Sequence, residues 1–509
     1  MNIEGRDVTL EANRIGRLLD ADVVIDLSQG PGALTTAQRA ALASAEYDDI
    51  YFDDDTNPTQ IRIVQRDDVN LRATGDIRAT AVGDVYLGGD RDFNIYDVNG
   101  QTIHIKTDGS ISSANGTNVV VRGHDVVLEA AGGAIGGDPN GGDGSLHTDI
   151  DGDLTARAKV IDLVNHGDLS IQRVTGTEAL RLRVLGNLAA STQFGENLLG
   201  GSIDLWVTGN AGDSLSRIQL GTGGLADRIN LDIGGDAWIG GLQGALGLPG
   251  TLRFGNVDVG GLLDIAQATD LWQYGNWNLG GLSLDLGNLW RMQAGTSLVA
   301  RDGIFARVDG DAELGDVETT AAGSSIDIEA YSLRAAHDDA QWRAMDLLRL
   351  RAAGGDIGQA VRYVTVGGQR LDIASIPGSL YLKLLGGIGG GTLASAGSQW
   401  LTTLGNVSLD EVRSGGGDVH LDGTGTVSID TLYAGGALDL RADDLVLGDA
   451  ESHAGDTDMV VAGSLQAGTL VSGGNWSLAA TTADIGTAEV AGDATQVVTG
   501  TLTQQQLDV

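Results

Sequence analysis

The chain has 509 residues; 42 % are hydrophobic, 79 are Gly, 5 are Pro and none is Cys. That much apolar material argues against intrinsic disorder, the low Pro count excludes collagen-like and Pro-rich chains, and the lack of Cys excludes disulfides and thiolate metal sites. Acidic residues outnumber basic ones 69 to 31, a net charge of −38, which excludes nucleic acid as the main partner and disfavours anionic membrane surfaces.

Taken in order, the chain opens on Met1–Arg6, which lacks the charged and apolar regions of a signal peptide, so an internal piece of a longer protein is expected. No run of roughly 18 apolar residues follows, and no membrane insertion is expected. Leu10-Glu-Ala12 to Ile15-Gly16 is the first instance of a recurring phrase: a strand ending Leu-x-Ala, then an aliphatic residue and Gly. Thr35-Thr-Ala-Gln38 reads as a capping box, and the Ala-rich stretch after it predicts a short helix near residues 36–46. Tyr47 to Gln60, with Asp53-Asp-Asp55 and Pro58, reads as an exposed loop, so residues 34–60 form a helix-loop decoration. The oxygen-bearing series Asp53, Asp55, Asn57 begins like a calcium loop, but Pro58 and Val64 stand where Gly and Glu are needed.

The phrase returns at Leu128-Glu-Ala130 to Ile135-Gly136, Leu350-Arg-Ala352 to Ile357-Gly358, Leu440-Arg-Ala442 to Leu447-Gly448 and Leu478-Ala-Ala480 to Ile485-Gly486. Between these run Gly-led corners followed by alternating apolar residues, Gly-Asx at Gly235, Gly255 and Gly275 and Gly-Thr at Gly295. Their spacing is 20 residues, the length of one coil of a parallel β-helix. Alternation such as Val257-Asp-Val259 places one side of each strand inward, and the Gly-Asx pairs are expected to supply positive-φ corners. A segment without coil glycines at His337–Trp342 reads as a second excursion. The fold class expected is therefore all-β: one continuous right-handed parallel β-helix over residues 1–509, about 25 coils long, with sub-blocks at 1–122, 123–344 and 345–509. A β-sandwich array is the runner-up, but it lacks clear Asn-Gly hairpin signals.

The Gly-Asp-x-x-Leu coil phrases and the Ala353–Gly358 element, echoed at Ala131–Gly136 and followed by Leu371–Ile373, resemble the large filamentous-haemagglutinin-like adhesins of Gram-negative bacteria. The resemblance covers most of the chain. It implies a shaft segment, without the secretion domain, of an extracellular or cell-surface protein exported by two-partner secretion through an outer-membrane transporter. It further implies attachment to extracellular polysaccharide or to host and bacterial surface receptors.

Parallel β-helices also include polysaccharide-cleaving enzymes, so convergent carboxylates beside a basic group must be sought. Gly123-His-Asp125 is the nearest hint, but Gly5-Arg-Asp7 occupies the equivalent strand start and favours a structural role. Asp138–Asp143 is Gly-rich and acidic without the tandem pattern of calcium-binding β-rolls, and Gly386–Gly391 lacks the strand-loop-helix context of a phosphate cradle. Trp272, Tyr274, Trp277 and Trp290 cluster. Trp272 and Tyr274 share one strand face and, with Trp277, are the candidate ligand-binding residues, the alternative being rings that fill the coil interior. No catalytic residue, metal or cofactor is assigned. The expected function is a non-catalytic structural and adhesive shaft; the alternatives are a polysaccharide-degrading β-helix enzyme and the stalk of a toxin-delivery protein.

Overall fold

Alternating residues become alternating burial. In the strand Leu380–Leu385 the residues Leu380, Leu382 and Leu384 are buried while Tyr381, Lys383 and Leu385 face outward. The computed structural model describes residues 2–26, 49–52, 60–137, 144–191, 197–222, 228–241 and 251–509. It is a parallel β-solenoid of about 21 turns with coils of about 20 residues. No helix occurs among the described residues, and the predicted helix at 36–46 lies outside them.

The chain divides into two compact units, Met1–Arg253 with Asp258–Gly261, and Phe254–Val257 with Leu262–Val509. In the first, Asn2–Gly5 pairs in parallel with Val69–Ala73, and Val8–Ala12 with Asp76–Ala81. One coil step there spans most of 70 residues because the chain leaves the solenoid after Gly16. It forms a separate antiparallel sheet in which Gln60–Asp67 lies between Arg17–Asp26 and Asp49–Phe52. The segment read as loop at 47–60 thus carries a strand, and the excursion begins at Arg17. Residues 53–59, with the calcium-like series, lie outside the described residues.

In the second unit Leu382, Leu401, Leu421, Leu440, Met459 and Leu478 pair in turn across successive coils, and all are buried. Each such side chain contributes about 1.5–3 kcal/mol by leaving water. From Leu380 onward the coils advance by 18 to 20 residues, as from Val407 to Val427 and from Thr426 to Asp444. Elsewhere Val126 pairs with Leu154 and Val317 with Trp342, so longer corners reduce the coil number below the expected 25. The predicted excursion at His337–Trp342 is one of these corners: a turn whose Ala340 amide bonds the His337 carbonyl, delivering Trp342 to the core.

The corners correct one expectation in part. Gly167, Gly295 and Gly405 have positive φ as expected, but Gly235, Gly255 and Gly275 are not among the positive-φ glycines. The Asx side chain instead reaches to the next coil: Asn187 Oδ1 accepts the Asn210 amide at 2.9 Å, and Asn210 Oδ1 accepts the Asp236 amide at 2.9 Å. The bend leaves these amides without a carbonyl partner, and the side chain restores the bond. Gly is required beside it because a Cβ at Gly235 would overlap Asn210 Oδ1. The Leu-x-Ala phrase also divides into two kinds. At Gly16, Gly136 and Gly358 φ is +71°, +67° and +78°, and the chain turns out of the ladder after a buried Ile. At Gly448 and Gly486 the strands Asp444–Ser452 and Trp476–Val490 run straight through.

Candidate functional site

Strand parity separates the predicted aromatic residues. Trp277 is 1 % exposed and meets Phe254 edge-on at 5.5 Å, and Trp290 is likewise fully buried, so both are core. Trp272 and Tyr274 lie half-buried on the outward face, with ring centroids 6.0 Å apart and planes tilted by 35°. The Arg291 guanidinium sits 5.6 Å from the Trp272 ring centre while pairing with Glu313 at 2.7 Å, so part of that aromatic surface is engaged within the protein. Of the three candidates, the structure brings Trp272 and Tyr274 together on the surface and removes Trp277 from it.

A larger aromatic row lies on the outward face of the second unit, and its members are scattered in sequence. Tyr381 pairs with Trp400, Trp400 with His420 and His420 with Asp439 on successive coils. Tyr381 and Trp400 stack at 4.6 Å with planes 2° apart, and Trp400 and His420 at 5.5 Å with planes 14° apart. Tyr363, just before its strand, meets Tyr381 edge-on at 5.9 Å. Burial raises the phenol pKa of Tyr363; burial, reinforced by the Asp356 charge, raises that of Tyr381, so both remain neutral phenols through the physiological range. Two residues further along the strands, Lys383, Thr402, Asp422 and Arg441 form a parallel polar row. Between the rows runs an open groove of about 260 Å³. The signal that could have found it is alignment by coil: with Leu382, Leu401, Leu421 and Leu440 superposed, each residue before them falls in one column.

The Gly123-His-Asp125 hint resolves into a corner. Asp125 Oδ1 accepts the Asp153 amide at 3.1 Å, as Asp7 Oδ1 accepts the Asp76 amide at 3.0 Å. His124 Nδ1 lies 2.9 Å from Asp151 Oδ1, both side chains being well exposed. The hydrogen bond to Asp151, then the charge of Asp125, raises the His124 pKa above 6.5. The protonated imidazole is therefore favoured in the folded state; its stabilising contribution is complete below the unfolded-state pKa and disappears as pH rises through the folded-state value. We expect the His124 ring resonances to titrate above 6.5, and Asp151→Asn to move that midpoint downward; a midpoint indifferent to the substitution would contradict the pairing.

Among the described residues no group of three or more His, Cys, Asp or Glu is placed to hold a metal ion, and no helix is long and apolar enough to cross a membrane. Asp138–Asp143 lies outside the described residues. Comparison with protein-family models, curated proteins and solved structures finds no match to this chain.

Proposed function

We propose that this chain is a non-catalytic structural and adhesive shaft segment of a large secreted or surface-exposed bacterial adhesin. The observation that carries the reading is the ladder itself: about 21 parallel turns around an apolar core, with corners tied coil to coil by Asx side chains. Such a stack holds outward rows of side chains in fixed register over many coils, which suits display and lateral contact. The acidic surface keeps it soluble and opposes self-association. Polysaccharide or a cell-surface receptor is the proposed partner, and an outer-membrane transporter the proposed export partner.

Two measurements test this. Incubation with polygalacturonate, alginate and neutral glycans should release no new reducing ends or unsaturated products; turnover abolished by one Asp→Asn substitution would establish an enzyme instead. Protease added to intact producing cells should remove the protein, and full protection in such cells would refute surface display.

A further inference from the structure

We propose that the groove between the row Tyr363–Tyr381–Trp400–His420–Asp439 and the row through Asp422 and Arg441 binds an uncharged, linear polysaccharide lying along the stacking direction of the coils. The inference deepens the shaft reading above and rests on it.

The geometry sets the shape of the ligand. The aromatic row and Asp439 occupy equivalent positions on five successive coils. At about 4.8 Å per coil this is on the order of 20 Å, long enough for several residues of an extended polymer. Rings stacked at 4.6 and 5.5 Å hold one another rigid, so contact with them costs little side-chain entropy. With planes 2° and 14° apart the ring faces are turned toward one another, so the row presents its edges outward, apolar C–H groups for contact with sugar C–H surfaces interleaved with the polar atoms of phenol, indole and imidazole.

The charges set its chemistry. His420 stands between Asp418 at 3.9 Å and Asp439 at 3.6 Å, and Arg441 donates to Asp439 at 3.2 Å. Arg441 is thus matched by a carboxylate already, the His420 ring lies between two, and Lys383 of the same row is not part of the groove lining, so an anionic glycan would have to displace the carboxylate from Arg441 in a chain carrying −38. Asp422 is exposed and has no ion-pair partner among the described residues. Its carboxylate can accept two hydrogen bonds from neighbouring hydroxyls, and the Thr402 hydroxyl beside it in the row can donate or accept. A hydroxyl-rich, uncharged chain satisfies all of these groups without breaking an ion pair.

The test is affinity electrophoresis of the full chain in gels containing laminarin, galactomannan or hydroxyethylcellulose, with polygalacturonate and heparin as charged comparators. Retardation by at least one neutral glycan is expected, weakened about tenfold by Trp400→Ala and by Asp422→Ala and unchanged by Trp272→Ala. Circular dichroism reports whether Trp400→Ala still folds; the exposed Asp422→Ala carries the decision if it does not. Retardation by the anionic gels alone, by none of the neutral gels, or to the same extent in Asp422→Ala overturns the proposal. New reducing ends in the same samples would instead overturn the non-catalytic shaft reading, so the two failures are distinguishable.

Discussion

Replacing Trp342 with alanine is expected to destabilise its coil by about 3–5 kcal/mol, the usual range for deleting a fully buried Trp side chain. Trp342 is 0 % exposed, lies in one column with Val317 and Val366, and donates its indole N–H to the Gly315 carbonyl at 2.9 Å. Trp342→Phe should retain much of the packing but leave that carbonyl without its donor, at a further cost of about 1–3 kcal/mol if water cannot enter. Trp277, Trp290 and Trp476 are equally buried, yet their indole nitrogens have no hydrogen-bond partner among the described residues. The same change to Phe should therefore be milder at those three sites. Because a coil is covered only by its neighbours, the Trp342→Ala lesion should be local. Native-state hydrogen exchange should show lost protection in Asp316–Thr319, Gln341–Arg343 and Val364–Gly367 while Thr457–Ser472 keeps its own. Uniform loss across the second unit would show that its coils unfold as one block.

The coil is legible in the sequence because its physics is local. Alternation at Val257-Asp-Val259 and the 20-residue recurrence of Gly-Asx corners express one strand and one bend each, and both are readable within a few residues. The coil number is less so, because corners such as His337–Ala340 lengthen a turn without changing its strands. At Gly235 and Gly275 the reason for Gly is not the expected one. Backbone freedom is a property of the residue alone, whereas the overlap a Cβ would make with Asn210 or Asn256 involves the preceding coil and is invisible without the register. The same limit governs the surface. Trp272 and Tyr274 are two residues apart, so parity alone places them on one face. Tyr363, Tyr381, Trp400 and His420 differ in type and in spacing, and only the paired leucines behind them bring them into a row.

That row is tied to the Leu-x-Ala phrase through Gly358, which leads to the second large effect. Gly358 has φ +78°, a conformation that costs a residue with a Cβ on the order of 1–3 kcal/mol. A Cβ there would also stand 2.9 Å from the Tyr381 Cβ and closer still to the Tyr381 carbonyl oxygen, an overlap that must be relieved by moving the backbone or the ring. Overpacking of this kind adds about 1–3 kcal/mol, so Gly358→Ala should cost about 2–6 kcal/mol in all. Gly323→Ala separates the two contributions, since Gly323 has φ +79° but nothing within 4 Å of the place a methyl group would take, and only the backbone strain remains. If the two variants shift the urea midpoint equally, the contact with Tyr381 contributes nothing. If Gly358→Ala is the more damaging, the displaced Tyr381 should disturb its 4.6 Å stack on Trp400, and Trp400 fluorescence should change in Gly358→Ala but not in Gly323→Ala. A glycine that lets the chain turn out of the ladder would then also hold one end of the aromatic row in place.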